Sequence, residues 1–204
     1  MLTVFAQGFA VGFLIAAPIG PIGLLCIRRS LEGGWRLGFA SGLGAAFADA
    51  CYAAIAAFGL SAAFRFLQSH ARAFQVVAIL LLGALAVQAF RSAFHAPREV
   101  QATKSHIAGA TASTFLLTIV NPTTIVSFAA AFTIIATRVG PLSALSAALF
   151  VLGAFCGSTA WWLILSSAVS ALRARVRPAA LRWVNAASGV GLLAFGVWVL
   201  LRAP

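Results

Sequence analysis

The sequence predicts an all-α integral membrane protein: six transmembrane helices arranged as two inverted three-helix repeats, with helices 1 and 4 broken. Three observations carry that prediction. Of the 204 residues, 62% are apolar and only 8% are charged, so the chain lacks the polar surface that a soluble domain of this size shows to water. Six stretches are apolar over the roughly 20 residues that a span requires. The first and fourth of them are interrupted, at APIGPIG from Ala17 and at NPTTIVSF from Asn121. The expected organisation is a single membrane domain over residues 1–204, with repeat 1 at about 1–96 and repeat 2 at about 105–204.

Helix 1, roughly residues 3–27, contains no charged side chain. The start MLTVFAQGF has no basic n-region, and the apolar run that follows is longer than the h-region of a signal peptide, so this segment is expected to remain as a helix. Near its end stand Pro18, Gly20, Pro21 and Gly23. A proline removes one backbone donor and frees the carbonyl four residues earlier, which in hydrocarbon costs several kcal/mol unless protein or water satisfies it. Broken helices therefore line cavities or pack inside a bundle.

Helix 2, roughly 37–64, carries Gly38 and Gly42 at a spacing suited to close packing, followed by Asp49. Helix 3, roughly 73–94, is apolar throughout except for Gln75, Gln88, Arg91 and Ser92. Helix 4, roughly 107–136, sets Thr111, Thr114, Thr118 and Asn121 on one face and breaks at Asn121 and Pro122; Thr123, Thr124 and Ser127 follow. Single threonines often bond the carbonyl one turn back in their own helix, whereas the Asn121 amide can both donate and accept beside freed backbone. Helix 5, roughly 141–170, has Gly153 with Gly157 and the pair Trp161 and Trp162. Either tryptophan could line or close a cavity, tryptophan also marks membrane interfaces, and plain packing is expected for one of the two. Helix 6 covers roughly 183–201.

The net charge of +11 is distributed in short connections, with no continuous stripe of the kind a nucleic acid would require. Arg28, Arg29 and Arg36 follow helix 1, Arg91, Arg98 and Lys104 follow helix 3, and Arg173, Arg175, Arg177 and Arg182 follow helix 5. The opposite side has Arg65, Arg72, Arg138 and Arg202. The positive-inside rule then places the arginine-rich connections in the cytoplasm and both termini outside it.

The three acids are Glu32 and Glu99, in connections, and Asp49, which lies roughly 18 Å into helix 2 at ~1.5 Å per residue. A carboxylate at that depth costs about 2.5 to 3.5 kcal/mol on insertion scales, so it normally faces the bundle interior or water and marks a pathway or proton site. Gly38, Gly42, Ala45, Asp49, Tyr52, Ala53 and Ala56 share one face, which turns Asp49 inward. A competing structural role is a protonated Asp49 bonded to a helix 4 hydroxyl or backbone carbonyl. By rise per residue the two breaks lie ~22 to 27 Å from opposite faces, flanking the midplane as a site reached alternately from each side requires. The candidate pathway is Pro18, Gly20, Pro21, Gly23, Gly42, Asp49, Tyr52, Thr118, Asn121, Pro122 and Thr124, with Asp49 coupling to protons.

Other chemistries find little support. Cys26, Cys51 and Cys156 show no ligand spacing, and His70, His95 and His106 lie in or beside connections, so neither a disulfide framework nor a metal site is expected. There is no HExxH, no GxSxG and no second intramembrane acid, so no enzyme and no cofactor is expected.

The stretches APIGPIGLLCIRRSLEGGWRLGFASGLGAAFADACY (Ala17–Tyr52) and NPTTIVSF (Asn121–Phe128) resemble the LysE/RhtB family of bacterial amino-acid exporters. The resemblance places Pro18, Gly20, Pro21, Gly42, Asp49, Asn121 and Pro122 at the family's motif positions. It implies an inner-membrane location and efflux of amino acids or similar small metabolites driven by the proton gradient. The chain departs from the pattern in two places: Ile19 separates Pro18 from Gly20 and Ile22 follows Pro21, where members have a compact Pro-Gly-Pro followed by Asn or Asp, and Thr123 stands where lysine is common. The alternative is a cation or metal exporter, or a channel, of the same superfamily. The sequence leaves substrate, coupling stoichiometry and oligomeric state open, although the Gly38/Gly42 and Gly153/Gly157 pairs suit contacts within or between subunits.

Overall fold

Where the first proline falls, the first helix stops. In the computed structural model, which describes residues 1–18, 20–58, 66, 69–94, 104–121, 124, 127–128, 142–173 and 178–201, α1 (Leu2–Ala16) ends just before Ala17 and Pro18. Helix α2 (Pro21–Ala57) starts with Pro21 in its first position, where a missing N–H has no intrahelical partner to lose. Gly20 precedes it in extended conformation, and its carbonyl accepts from the Leu24 N–H at 3.0 Å. The remaining helices are α3 (Ala71–Phe94), α4 (Lys104–Ile119), α5 (Ala144–Arg173) and α6 (Pro178–Leu201). Among the described residues all regular structure is helical.

Two boundaries differ from the sequence expectation. Residues 21–27, assigned to the end of helix 1, belong to α2. The connection expected to hold Arg28, Arg29 and Glu32 is helical, and the chain reverses at Gly34, where φ is 76°. A single residue replaces a loop because only glycine enters that region without a Cβ penalty. The limbs 21–33 and 35–57 then run back alongside each other. Cys26 packs with Ala45 and Ala46, and a Cβ on Gly38 would fall 1.8 Å from the Ser30 hydroxyl oxygen. From α5, Arg173 Nη2 donates to the Glu32 carbonyl at 3.0 Å and satisfies an acceptor at the end of the first limb.

The helices meet through small residues. α1 lies on α5, where Gly8 and Gly12 face Gly153 and Gly157: added Cβ atoms would stand 2.2 Å and 2.0 Å from the Phe150 and Ala154 carbonyl oxygens, and 2.2 Å and 2.0 Å from those of Phe5 and Phe9. The second limb of α2 packs on α5 and on α4; against α4, Gly44 receives the Thr111 carbonyl, and Thr111 Oγ1 donates to the Ala40 carbonyl at 2.9 Å. α3 pairs with α6, and Leu25 of α2 joins Leu82, Leu85, Leu117 and Leu192 in a cluster that links both to α4.

By length and apolarity, Pro21–Ala57 and Ala144–Arg173 each suffice to cross a bilayer, while Leu2–Ala16, Val76–Arg91 and His106–Ile119 are shorter apolar helices. Pro21–Ala57 is bent back at Gly34, so its length is shared between two limbs, of which the second, residues 35–57, is by itself long enough for a span. Outward-facing Leu14, Leu80, Leu116, Leu152, Ile164 and Val190 are exposed. Apolar surface that extensive is rare on a soluble monomer and suits acyl chains.

Candidate functional site

Asp49 lies where the second limb of α2 crosses α5. Its side chain is buried at 3% exposure, in keeping with the inward face read from helical phase. The Ser158 hydroxyl donates to Oδ2 at 2.7 Å, and Trp162 Nε1 donates to the same Ser158 oxygen at 3.1 Å. A buried carboxyl thus ends a short hydrogen-bonded chain that starts on the indole. The competing structural role looked to a helix 4 hydroxyl or a backbone carbonyl, whereas the donor here comes from α5, because Gly42 lets that helix approach: a Cβ there would stand 2.3 Å from the Trp162 Cβ. The spacing of Ser158 and Trp162, four residues apart on one helical face, was the available signal.

Asp49 opens on a cavity of about 200 Å³. One wall is the interruption after α1: Ile15 and Ala16 at the helix end, then Pro18, Gly20, Pro21, Ile22 and Gly23. The other walls are Ala45 and Asp49 of α2, Thr118 and Asn121 at the end of α4, Thr124 and Ser127 beyond it, and Trp162 of α5. Helix α4 stops at Ile119, and the chain turns there, the Asn121 N–H donating to the Thr118 carbonyl and the Thr124 N–H to the Asn121 carbonyl, each at 3.1 Å. Three helix ends therefore converge. The first N–H groups of α2 bring partial positive charge, and the last carbonyls of α1 and α4 bring partial negative charge.

Of the candidate pathway residues, Pro18, Gly20, Pro21, Gly23, Asp49, Thr118, Asn121 and Thr124 line this cavity. Gly42 and Tyr52 do not. Gly42 backs onto Trp162, and Tyr52 is fully buried, its hydroxyl donating to the Ile119 carbonyl and its ring stacked on Phe128 at 6.1 Å. Pro122 lies outside the described residues. Thr118 donates to the Thr114 carbonyl at 2.8 Å, so its proton is committed within the helix and its oxygen faces the cavity as an acceptor. The two tryptophans divide as expected, with Trp162 on the cavity and Trp161 edge-on to Phe13 at 5.5 Å. Ser158 is an addition the sequence reading did not name, and Ser127 and Ala45, read there as following the helix 4 break and as sharing the Asp49 face, were not among the candidate pathway residues.

Among the described residues no group of three or more His, Cys, Asp or Glu side chains is placed to hold a metal ion. The family model for LysE type translocators matches residues 13–203, nearly the whole chain. The chain belongs to this family. No curated protein and no solved structure matched it. Membership makes the protein an integral membrane translocator and supports export of amino acids or related compounds. The matched range runs through both walls of the translocator's cavity and through α2, α4 and α5, which supply its polar groups.

Proposed function

We propose that this translocator is a secondary active exporter of amino acids or related small metabolites, working by proton antiport, with the cavity between the interruptions after α1 and α4 as its transport site. One observation carries the reading: a buried carboxyl, Asp49, faces a cavity at which three helix ends meet. The chemistry suits a zwitterion. An ammonium group is favoured beside Asp49 and the carbonyl ends of α1 and α4, and a carboxylate beside the N–H groups that open α2. Pro18, Gly20, Pro21, Gly23, Thr118, Asn121 and Thr124 shape and line the pathway. Gly42 and Tyr52 act from behind it, one seating Trp162 and the other holding the end of α4. Asp49 alternates between cargo and proton: ionised, it holds the ammonium; protonated from the outer side, it releases the cargo there, so that one proton enters as the amino acid leaves.

Further support comes from the helix pairing. α1 lies on α5 as α4 lies on α2, while α2–α5 and α3–α6 pair with themselves under exchange of the two halves. Two inverted three-helix repeats with broken first helices would produce this pattern. The charge bias places Arg28, Arg29, Arg36 and the α5–α6 connection in the cytoplasm and both termini outside a bacterial inner membrane.

The test uses proteoliposomes with an imposed proton gradient and a panel of radiolabelled amino acids and small cations. The expected result is amino-acid flux that depends on the gradient and is abolished in Asp49→Asn, while that variant inserts normally. Normal flux in Asp49→Asn would remove Asp49 from the mechanism, and conductance without coupling would make the protein a channel.

A further inference from the structure

We infer that a second cavity, on the arginine-rich side of the molecule, is a carboxylate-binding site with Arg29 as its principal ligand. The cavity measures about 460 Å³ and is walled by Arg28, Arg29 and Glu32 of the first α2 limb, Gln88 of α3, and His106 and Ser113 of α4. Arg28 is paired with Glu32 at 3.1 Å. Arg29 is different. The two hydrogens of its Nη1 are shared among the Ser41 hydroxyl at 2.9 Å, the Ala110 carbonyl at 3.0 Å and the Thr114 hydroxyl at 2.9 Å, and its Nη2 donates to the Ser113 hydroxyl at 2.9 Å. All four acceptors are neutral, and among the described residues no carboxylate lies within ion-pair distance of it.

A guanidinium remains charged under all ordinary conditions, and the nearby acid Glu32, which favours that charge electrostatically, is bonded to Arg28, so among the described residues Arg29 has no carboxylate of its own at hydrogen-bond distance. Its planar fork matches a carboxylate, which can take two parallel N–H donors. The position also fits a route. Arg29 holds Thr114, one turn (~5.4 Å) from Thr118 on the wall of the central cavity, and it lies about 9 Å along the first α2 limb from Gly23 on the same wall. Arg29 therefore stands beside the stretch of α2 and α4 that separates the two cavities. The inference rests on the exporter reading for the identity of the cargo; the carboxylate chemistry itself rests on Arg29.

The experiment measures ligand-dependent thermal stabilisation of the purified full-length protein by propionate, alanine, alaninamide and chloride at constant ionic strength. Carboxylate probes are expected to stabilise the wild type, and alaninamide and chloride are not. Arg29→Gln is expected to weaken the apparent carboxylate affinity by about tenfold or more, as loss of a charge-assisted pair implies. His106→Glu, at an exposed position on the cavity wall, places a like charge near the carboxylate, and is expected to weaken its binding about threefold or more. Stabilisation by alanine but not propionate assigns the anion to cargo; stabilisation by both assigns it to small carboxylates in general, and either supports the site. Unchanged carboxylate affinity in Arg29→Gln and His106→Glu, equal stabilisation by chloride, or no effect of any carboxylate would overturn it. Asp49→Asn separates the two readings: loss of its flux with carboxylate binding intact supports both, and normal flux with binding still sensitive to Arg29 removes the coupling mechanism while leaving this site standing.

Discussion

The hydroxyl that holds Asp49 has a second neighbour: Ser158 gives its proton to the carboxyl at 2.7 Å and receives the Trp162 Nε1–H at 3.1 Å. Because a hydroxyl has a single proton, Ser158 fixes the orientation of both partners at once. Ser158→Ala should therefore slow flux by about tenfold, since the carboxyl loses a hydrogen bond typical of charged groups, at ~1.5–3 kcal/mol. Flux normalised to the folded protein recovered by size exclusion distinguishes this from simple unfolding, because the melting temperature should fall as well once the buried Trp162 N–H loses its acceptor. Tyr52 works on backbone instead. Its hydroxyl caps the Ile119 carbonyl at the end of α4, so Tyr52→Phe should destabilise the protein by about 1–2 kcal/mol, read as a lower melting temperature. The inward direction of Asp49 was legible from phase, because small residues recur on its face. Its partner was not, because the phase of a single helix does not say which neighbour lies across from it.

At the scale of elements, glycine decides contacts and direction. Gly8 and Gly12 meet Gly153 and Gly157 with backbone against backbone, so Gly12→Ala drives a methyl group to 2.0 Å from the Ala154 carbonyl oxygen. Overpacking of this kind costs about 1–3 kcal/mol and should reduce the folded fraction recovered by size-exclusion chromatography. Gly83→Ala is the matched control: nothing lies within 4 Å of its added Cβ, and helix propensity favours alanine by up to about 1 kcal/mol, so the melting temperature should hold or rise. Gly34→Ala should cost about 1–2 kcal/mol for another reason, since φ is 76° at the bend. The sequence shows Gly153 and Gly157 as a packing pair, and the structure shows their mates on α1, where Gly8 and Gly12 repeat the same spacing. At the bend, Arg28, Arg29 and Glu32 mimic a solvated connection in composition, and a reversal made by one glycine leaves no loop signature to read.

For the molecule as a whole, the pairing of α1 with α5 and of α4 with α2 ties each half to the other. Helices interleaved across the halves leave the cavity at their junction, walled by both. The orientation proposed for this bundle has its own test. A fluorescent reporter that matures only in the cytoplasm, fused after Pro204, should stay dark, and the same reporter inserted between α5 and α6 should fluoresce. The outward apolar side chains should also make the protein dependent on detergent or lipid: dilution below micelle concentration should precipitate it, as turbidity would record.

The sequence by itself determined the membrane class, the LysE-type resemblance, the end of the first helix at Pro18, and the inward turn of a lone intramembrane acid. Each follows from composition or local backbone chemistry, which need no neighbour in space. Tertiary structure alone decided that Ser158 holds Asp49, that Gly42 seats an indole and lies off the cavity wall, and that Arg29 lies among neutral acceptors from two helices. Those facts depend on residues 12 to 120 positions apart being brought into contact, and long-range proximity of that kind leaves no periodic trace in the chain.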